Sequence, residues 1–147
     1  YHVEPPESPV STPEIAEDYP FVLTSGARVP NFFTSEHRQI PKLRRGHPAP
    51  LVEIHPDTAS KLSIEDGEWI WIETRRGRIK QKARITDGID PRVIHVEFGW
   101  WFPERKDGEY GIWESNANVL TDIEPPYDPA IGTYQLRALL CKVYKMD

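Results

Sequence analysis

The chain has 147 residues with 15 Pro and nine Gly, a single Cys, five His and a formal net charge of -5 at pH 7. That proline content excludes a helical bundle, since each Pro inside a helix costs about 3 kcal/mol. Lone Cys141 excludes an internal disulfide and a Cys-rich metal centre. The negative balance argues against a nucleic-acid surface, and no apolar run approaches the roughly 20 residues of a membrane helix, so neither nucleic acid nor direct membrane insertion is expected.

Taken in order, residues 1–20 are rich in Pro, Glu and Ser and poor in apolar side chains. They read as an extended linker arriving from upstream domains. The chain opens at Tyr1, which reads as an excised piece of a longer polypeptide. Residues 21–147 read as one domain. A first strand is expected over 21–24, ended by Ser25-Gly26. Residues 27–50 carry no helix or strand period, and a loop that long is usually functional or covered by another domain. It holds Arg28, Asn31, His37, Arg38, Lys42, Arg44, Arg45 and His47.

Residues 51–86 are the most legible stretch. An apolar run over 51–55 stops at Pro56, which cannot donate to a ladder but suits the first turn of a helix. Asp66-Gly67 marks a turn. Residues 68–74 alternate Trp69, Trp71 and Glu73 against Ile70, Ile72 and Thr74, which predicts a strand buried on both faces. Arg75-Arg76-Gly77 reads as a three-residue hairpin loop with Gly77 at positive φ. Residues 78–86 alternate Ile79, Gln81, Ala83 and Ile85 inward against Lys80, Lys82 and Arg84 outward. The basic residues of this hairpin read as a solvated or domain-facing strand. A further strand is expected over 93–98, an aromatic cluster over 99–103, irregular chain to Gly132, and a closing apolar segment over 136–143. The pattern predicts an all-β barrel with short helices, long loops and most functional groups in those loops.

No nucleophile or metal motif is present. Cys141 reads as a buried, inert thiol, and the scattered His lack ligand spacing. His55 and His95 read as structural, whereas His37 lies in the polar loop within reach of a ligand. Asn116 and Asn118 each present a donor and an acceptor on one planar amide, the complement of a purine or pterin edge, although both are equally suited to capping turns. Trp100 and Trp101 offer stacking surface, but adjacent strand residues face opposite ways, so at least one is expected in the core. Gly26 permits close backbone approach to a phosphate, and Arg28 adds a forked donor or is an ordinary surface arginine.

Several segments in sequence carry a resemblance. They are YPFVLTSGAR (19–28), SEHRQIPKLR (35–44), VEIHPDTASKLSIEDGEWIWIETRRGRI (52–79), GWWFPE (99–104), SNANVLT (115–121) and DPAIG (128–132), with EPPESP (4–9) ahead of them. Their order and spacing resemble the C-terminal molybdopterin-dinucleotide-binding domain of the dimethyl-sulfoxide-reductase superfamily of molybdenum or tungsten oxidoreductases. The resemblance implies a six-stranded double-psi β-barrel that closes over one side of a bis-molybdopterin guanine dinucleotide. It implies cofactor-facing positions at Ser25, Gly26, Arg28, His37, Arg38, Trp100, Trp101, Asn118, Asp128 and Gln135. It places the metal's protein ligand and a 4Fe-4S cluster in upstream domains of the same polypeptide, with an electron-transfer subunit as a further partner. The domain alone is then catalytically incomplete. The Trp-Trp-Phe-Pro-Glu run is similar to the acetylene hydratase and polysulfide or thiosulfate reductase branch, while Thr-Ser-Gly-Ala-Arg departs from the common Thr-Gly-Arg. The competing reading is a stand-alone small barrel serving as a protein-interaction module.

Overall fold

Alternating Ile and Trp residues generate the central hairpin, and the barrel closes around it. A computed structural model describes residues 3–27, 29–34, 36–125, 127, 128 and 130–146. Six strands, β1 (Phe21–Ala27), β2 (Leu51–Ile54), β3 (Trp69–Thr74), β4 (Gly77–Ile85), β5 (Val93–Glu97) and β6 (Leu139–Lys145), form a closed barrel in the order β1-β5-β2-β4-β3-β6. The β1–β5 and β2–β4 pairs are parallel and the other four antiparallel. This is the closed six-stranded barrel the sequence implies. Four short helices lie outside it: α1 (Pro13–Asp18), α2 (Pro41–Gly46), α3 (Pro56–Lys61) and α4 (Ile112–Ser115), followed by a 3-10 turn, Ala117–Leu120.

The core holds Leu23, Val52, Ile54, Ile70, Ile72, Ile79, Ile94, Val96, Leu139 and Val143, all buried. Each such side chain contributes roughly 1.5–3 kcal/mol relative to exposure. Helix α3 forms where Pro56 sets the first turn, and His55 Nδ1 accepts from the Asp57 N–H at its start. Cys141 is fully buried, and burial pushes its thiol pKa up, so it is inert as expected.

Four expectations need correction. Strand β3 buries Ile70, Ile72 and Thr74 completely, but Trp69, Trp71 and Glu73 only partly. The Trp face is shielded by cations instead: Arg78 lies 4.4 Å above Trp71, and Lys80 and Lys82 lie 5.9 and 5.6 Å from Trp69. The hairpin loop has two residues, Arg75 and Arg76, because Gly77 already pairs with Thr74. Gly77 is there for close approach, since a Cβ would meet the Val119 carbonyl oxygen at 2.8 Å. β1 continues through Ser25 and Gly26 to Ala27. Finally, the segment before β1 is docked rather than extended free: Glu7 and Ser8 are buried, and α1 packs beside β6.

Strand directions place the two longest connections at one end. The C-termini of β1, β3 and β5 and the N-termini of β2, β4 and β6 all point there. The β1–β2, β3–β4 and β5–β6 connections therefore emerge from this loop end, while α3 and the turn at 86–92 close the other. At the loop end β2 begins opposite Lys82, five residues into β4. Gln81 seals the gap. Its amide donates to the Glu97 carbonyl at 2.9 Å and accepts from the Glu97 N–H at 3.3 Å, joining β4 to β5 where no strand separates them. It also donates to the Ser115 carbonyl at 3.4 Å, and Ser115 Oγ donates to the Lys80 carbonyl at 2.6 Å. Replacing Gln81 with Leu strands these buried backbone groups and is expected to cost about 1–3 kcal/mol. Guanidinium-chloride unfolding at constant m-value is the measurement; an unchanged midpoint would show the amide to be dispensable.

Candidate functional site

The loop end collects the sequence-derived candidates, and the structure gives each a distinct setting. Ser25 is half-buried on β1 opposite Val96. Gly26 takes φ +101°, and a Cβ there would sit 2.8 Å from Nη2 of Arg137. Arg28 lies outside the described residues. His37 is exposed at φ 68°, and its carbonyl accepts from the Ile40 N–H. Asn118 is exposed on the 3-10 turn, above the start of β4. Its N–H donates to Asn116 Oδ1 at 3.0 Å and its carbonyl accepts from Thr121 Oγ1, leaving the side-chain amide without a protein partner among the described residues. Asn116 is thus the turn cap, and Asn118 is the amide left open.

Two candidates have other work. Trp100 is 1% exposed and belongs to an interior cluster with Phe32 and Phe102, so it offers no stacking face to a ligand. Trp101 is the outward member of the pair, edge-on to Tyr110 at 5.8 Å. This is the division that neighbouring aromatics require. The Gln135 amide is fully used: it accepts from the Glu7 N–H and donates to the carbonyls of Glu7, Arg137 and Ala138, all within 2.9–3.1 Å. It clamps the incoming chain. Asp128 Oδ1 accepts from the N–H groups of Ala130 and Ile131 at 2.8 and 3.0 Å, organising a turn. Asp128, Gln135 and Arg137 line a hollow of about 220 Å³ with Pro5, Pro6 and Tyr134.

Arg38 is the least expected. It is completely buried, with its guanidinium carbon 3.7 Å from the Trp100 ring centroid and 5.7 Å from that of Phe102. Burial lowers its pKa to about 10, partly offset by Glu104. His47 stands edge-on to Trp100 at 5.6 Å and contacts Glu97 Oε2 at 2.9 Å, which also accepts from the Leu51 N–H. His95 is structural, bonded to Thr24 Oγ1 at 2.7 Å.

Glu7 and Arg137 escaped the sequence reading. The Glu7 carboxylate, 4% exposed, accepts from Arg75 Nε, from Arg76 and from the Leu140 N–H. The only hint was EPPESP, a segment otherwise composed like a linker. Arg137 is exposed, forms no ion pair among the described residues and lies over Gly26; nothing in its local sequence marks it. The basic hairpin pairs within the chain: Arg75 and Arg76 on Glu7, Lys80 on Glu114 at 2.6 Å, Arg84 toward Glu53. Among the described residues no His/Cys/Asp/Glu group could hold a metal.

These groups fit a large anionic nucleotide. A glycine at positive φ lies at Gly26, a guanidinium without an ion pair among the described residues at Arg137 and an open amide at Asn118. Residues 21–140 match the sequence model of the family described as "Molydopterin dinucleotide binding domain". The chain belongs to this family. It is 44% identical over 144 residues to dopamine dehydroxylase of Eggerthella lenta, covering 98% of this chain and 14% of that protein. It is 38% identical over 152 residues to acetylene hydratase of Syntrophotalea acetylenica, covering 99% of this chain and 21% of that one. The solved acetylene hydratase from Pelobacter acetylenicus superposes with a TM-score of 0.93 at 34% identity, over 99% of this chain and 21% of that chain. The domain is thus a molybdopterin-dinucleotide-binding barrel of the dimethyl-sulfoxide-reductase superfamily, spanning 14 to 21% of the length of these relatives. The cofactor of the family is molybdopterin guanine dinucleotide with molybdenum or tungsten.

At the mouth of the barrel, Glu114 ties α4 to Arg105 and Lys80. Hydrogen bonding to Arg105, then Lys80, holds its carboxyl below the usual carboxylate range. A depressed folded pKa contributes stability above the unfolded value, lost as pH falls through the folded one. Glu114→Gln should therefore lower the unfolding midpoint at pH 7 and narrow its distance from wild type toward pH 3. An equal deficit at both pH values would sink this assignment.

Proposed function

We propose that this domain caps the dinucleotide of a bis-molybdopterin guanine dinucleotide centre within a larger oxidoreductase, whose upstream domains carry the metal's protein ligand and an iron–sulfur cluster. The supporting observation is the convergence of the two longest connections, β1 to β2 and β5 to β6, on one end of the barrel. When bound, the metal–pterin centre supplies the two-electron or oxygen-atom chemistry. This chain's own residues bind and orient it. Gly26 lets backbone come close, Arg137 meets phosphate charge with a fork of donors, and Asn118 reads a heterocycle edge with paired donor and acceptor. Trp101 and Tyr110 add aromatic surface beside it.

Exposed apolar groups support the same orientation. Phe33, Trp113, Ile123, Ile131 and Leu136 are each at least half exposed, and all belong to loop-end connections. Among the described residues none of the large exposed hydrophobics falls between 51 and 97. Patches of this kind mark interaction surfaces, and here the upstream domains of the same polypeptide are the fitting cover. An electron-transfer subunit is a partner of the parent rather than of this end.

The test is metal analysis and acid-released nucleotide on the purified parent. Molybdenum or tungsten with guanine nucleotide is the expected result; neither being present would overturn the reading. Within the parent, Asn118→Ala should leave the melting temperature unchanged and lower retained nucleotide, because its side-chain amide hydrogen-bonds no other described residue.

A further inference from the structure

The outer face of β3, β4 and β6 carries charge of the opposite sign to the chain as a whole. The strand register turns Trp69, Trp71 and Glu73 of β3 outward, together with Arg78, Lys80, Lys82 and Arg84 of β4 and Lys142 and Tyr144 of β6. Five cations thus stand against one carboxylate, on a chain with a formal net charge of -5. Three of the cations are spent. Lys142 pairs with Glu73 at 3.0 Å, Lys80 with Glu114 at 2.6 Å, and Arg84 reaches Glu53 at 3.6 Å. Arg78 and Lys82 form no ion pair among the described residues. Each lies instead over a tryptophan, Arg78 4.4 Å from the Trp71 ring centroid and Lys82 5.6 Å from that of Trp69. Lys82 also lines a hollow of about 390 Å³. Ala49, Leu51, Trp69 and Phe102 give that hollow apolar walls, and the Arg44 beside them is already bonded to Glu104.

We propose that this face docks an acidic, extended segment of a separate polypeptide, with one apolar side chain in the hollow beside Trp69 and carboxylates on Lys82 and Arg78. Lys82, Lys80 and Arg78 alternate along β4, so successive cations lie about 6.7 Å apart, the spacing of same-side residues on any extended chain. Carboxylates at every second position of the segment match them. Half-buried tryptophans flanked by cations have the composition of an interface, where aromatic residues and arginine are enriched. Nucleic acid fits less well, because cations already lie over the tryptophan rings on which bases would have to stack. A separate chain also fits better than the upstream domains. The loop end exposes Trp113, Ile123, Ile131 and Leu136, the apolar character of a permanent cover. This face instead sets charge over half-buried aromatics, the character of an interface that forms and parts.

The inference stands on this face alone and does not draw on the cofactor reading. The test uses the intact parent protein, as wild type and as the double variant Arg78→Gln with Lys82→Gln, which removes both unpaired charges. The probe is a fluorescein-labelled synthetic peptide of alternating glutamate and threonine with one central leucine, followed by anisotropy. Its companions are the same peptide with glutamine for glutamate, the same with serine for leucine, and an oligothymidine strand. Saturable binding of the acidic peptide to wild type is expected, falling as salt is raised and weakening about tenfold in the variant and for the serine peptide. Lys82→Met alone, which keeps the packing over Trp69, repeats the measurement should the double variant lose its melting transition. Equal affinity for wild type and variant, for glutamate and glutamine peptides, or for leucine and serine peptides overturns the inference, as does tighter binding of oligothymidine. Lys82 resisting an amine-reactive reagent in the native parent, read by mass spectrometry, overturns it too, since the parent's own domains would then cover this face. So does self-association of wild type that the variant loses, which would make a second copy the occupant.

Discussion

The structure turns on a mismatch in strand length. β4 runs five residues past the start of β2, so its upper half lacks a neighbour on one side. An unpaired ladder edge inside a barrel leaves backbone groups unsatisfied. On that edge the Lys80 carbonyl accepts from Ser115 Oγ, the buried Gln81 amide ties β4 to the Glu97 backbone on β5 and to the end of α4, and the 3-10 turn packs against Gly77. The same mismatch opens the barrel at this end and lets long connections gather there. Sealing and opening are consequences of one geometric fact.

Around that opening, the residues divide into those that build the rim and those left available. Gln135, Glu7, Asp128 and Asn116 have their polar atoms engaged by backbone or by arginine. The side chains of Asn118, Arg137 and Ser25 make no hydrogen bond or ion pair among the described residues. The first set is held by contacts within this unit, while the second keeps its side-chain donors and acceptors unspent. The chain spans 14 to 21% of the length of these relatives.

Much of this was legible in the sequence where local chemistry decides the outcome. Pro56 sets α3, the Ile/Trp alternation gives β3, and the Ile79–Gln81–Ala83 face gives β4, because each depends on side chains adjacent in the chain. The inward placement of Gln81 was readable, but not its partners. Long-range partners were hidden. Nothing near Glu7 reveals that Arg75 and Leu140 will meet it, and nothing near Trp100 reveals which of two tryptophans turns inward. Gly77 is instructive: a glycine after two arginines suggests positive φ, whereas the real constraint is a carbonyl from a turn more than forty residues away. Arg38 was named by family resemblance as facing the cofactor, yet its burial against Trp100 depends on a loop that has no periodic signature.

The strap formed by residues 3–20 has a practical consequence for where this unit begins. The family match starts at residue 21, at the first strand. Yet the chain ahead of it descends the outside of β6 from the loop end, contributing a carboxylate to two arginines and to the Leu140 amide on the way. A protein cut at the start of β1 would leave a cationic hairpin and an orphaned amide beside the cofactor-binding mouth. The smallest self-consistent piece is therefore longer than the span of its family match, and it includes the strap that carries Glu7.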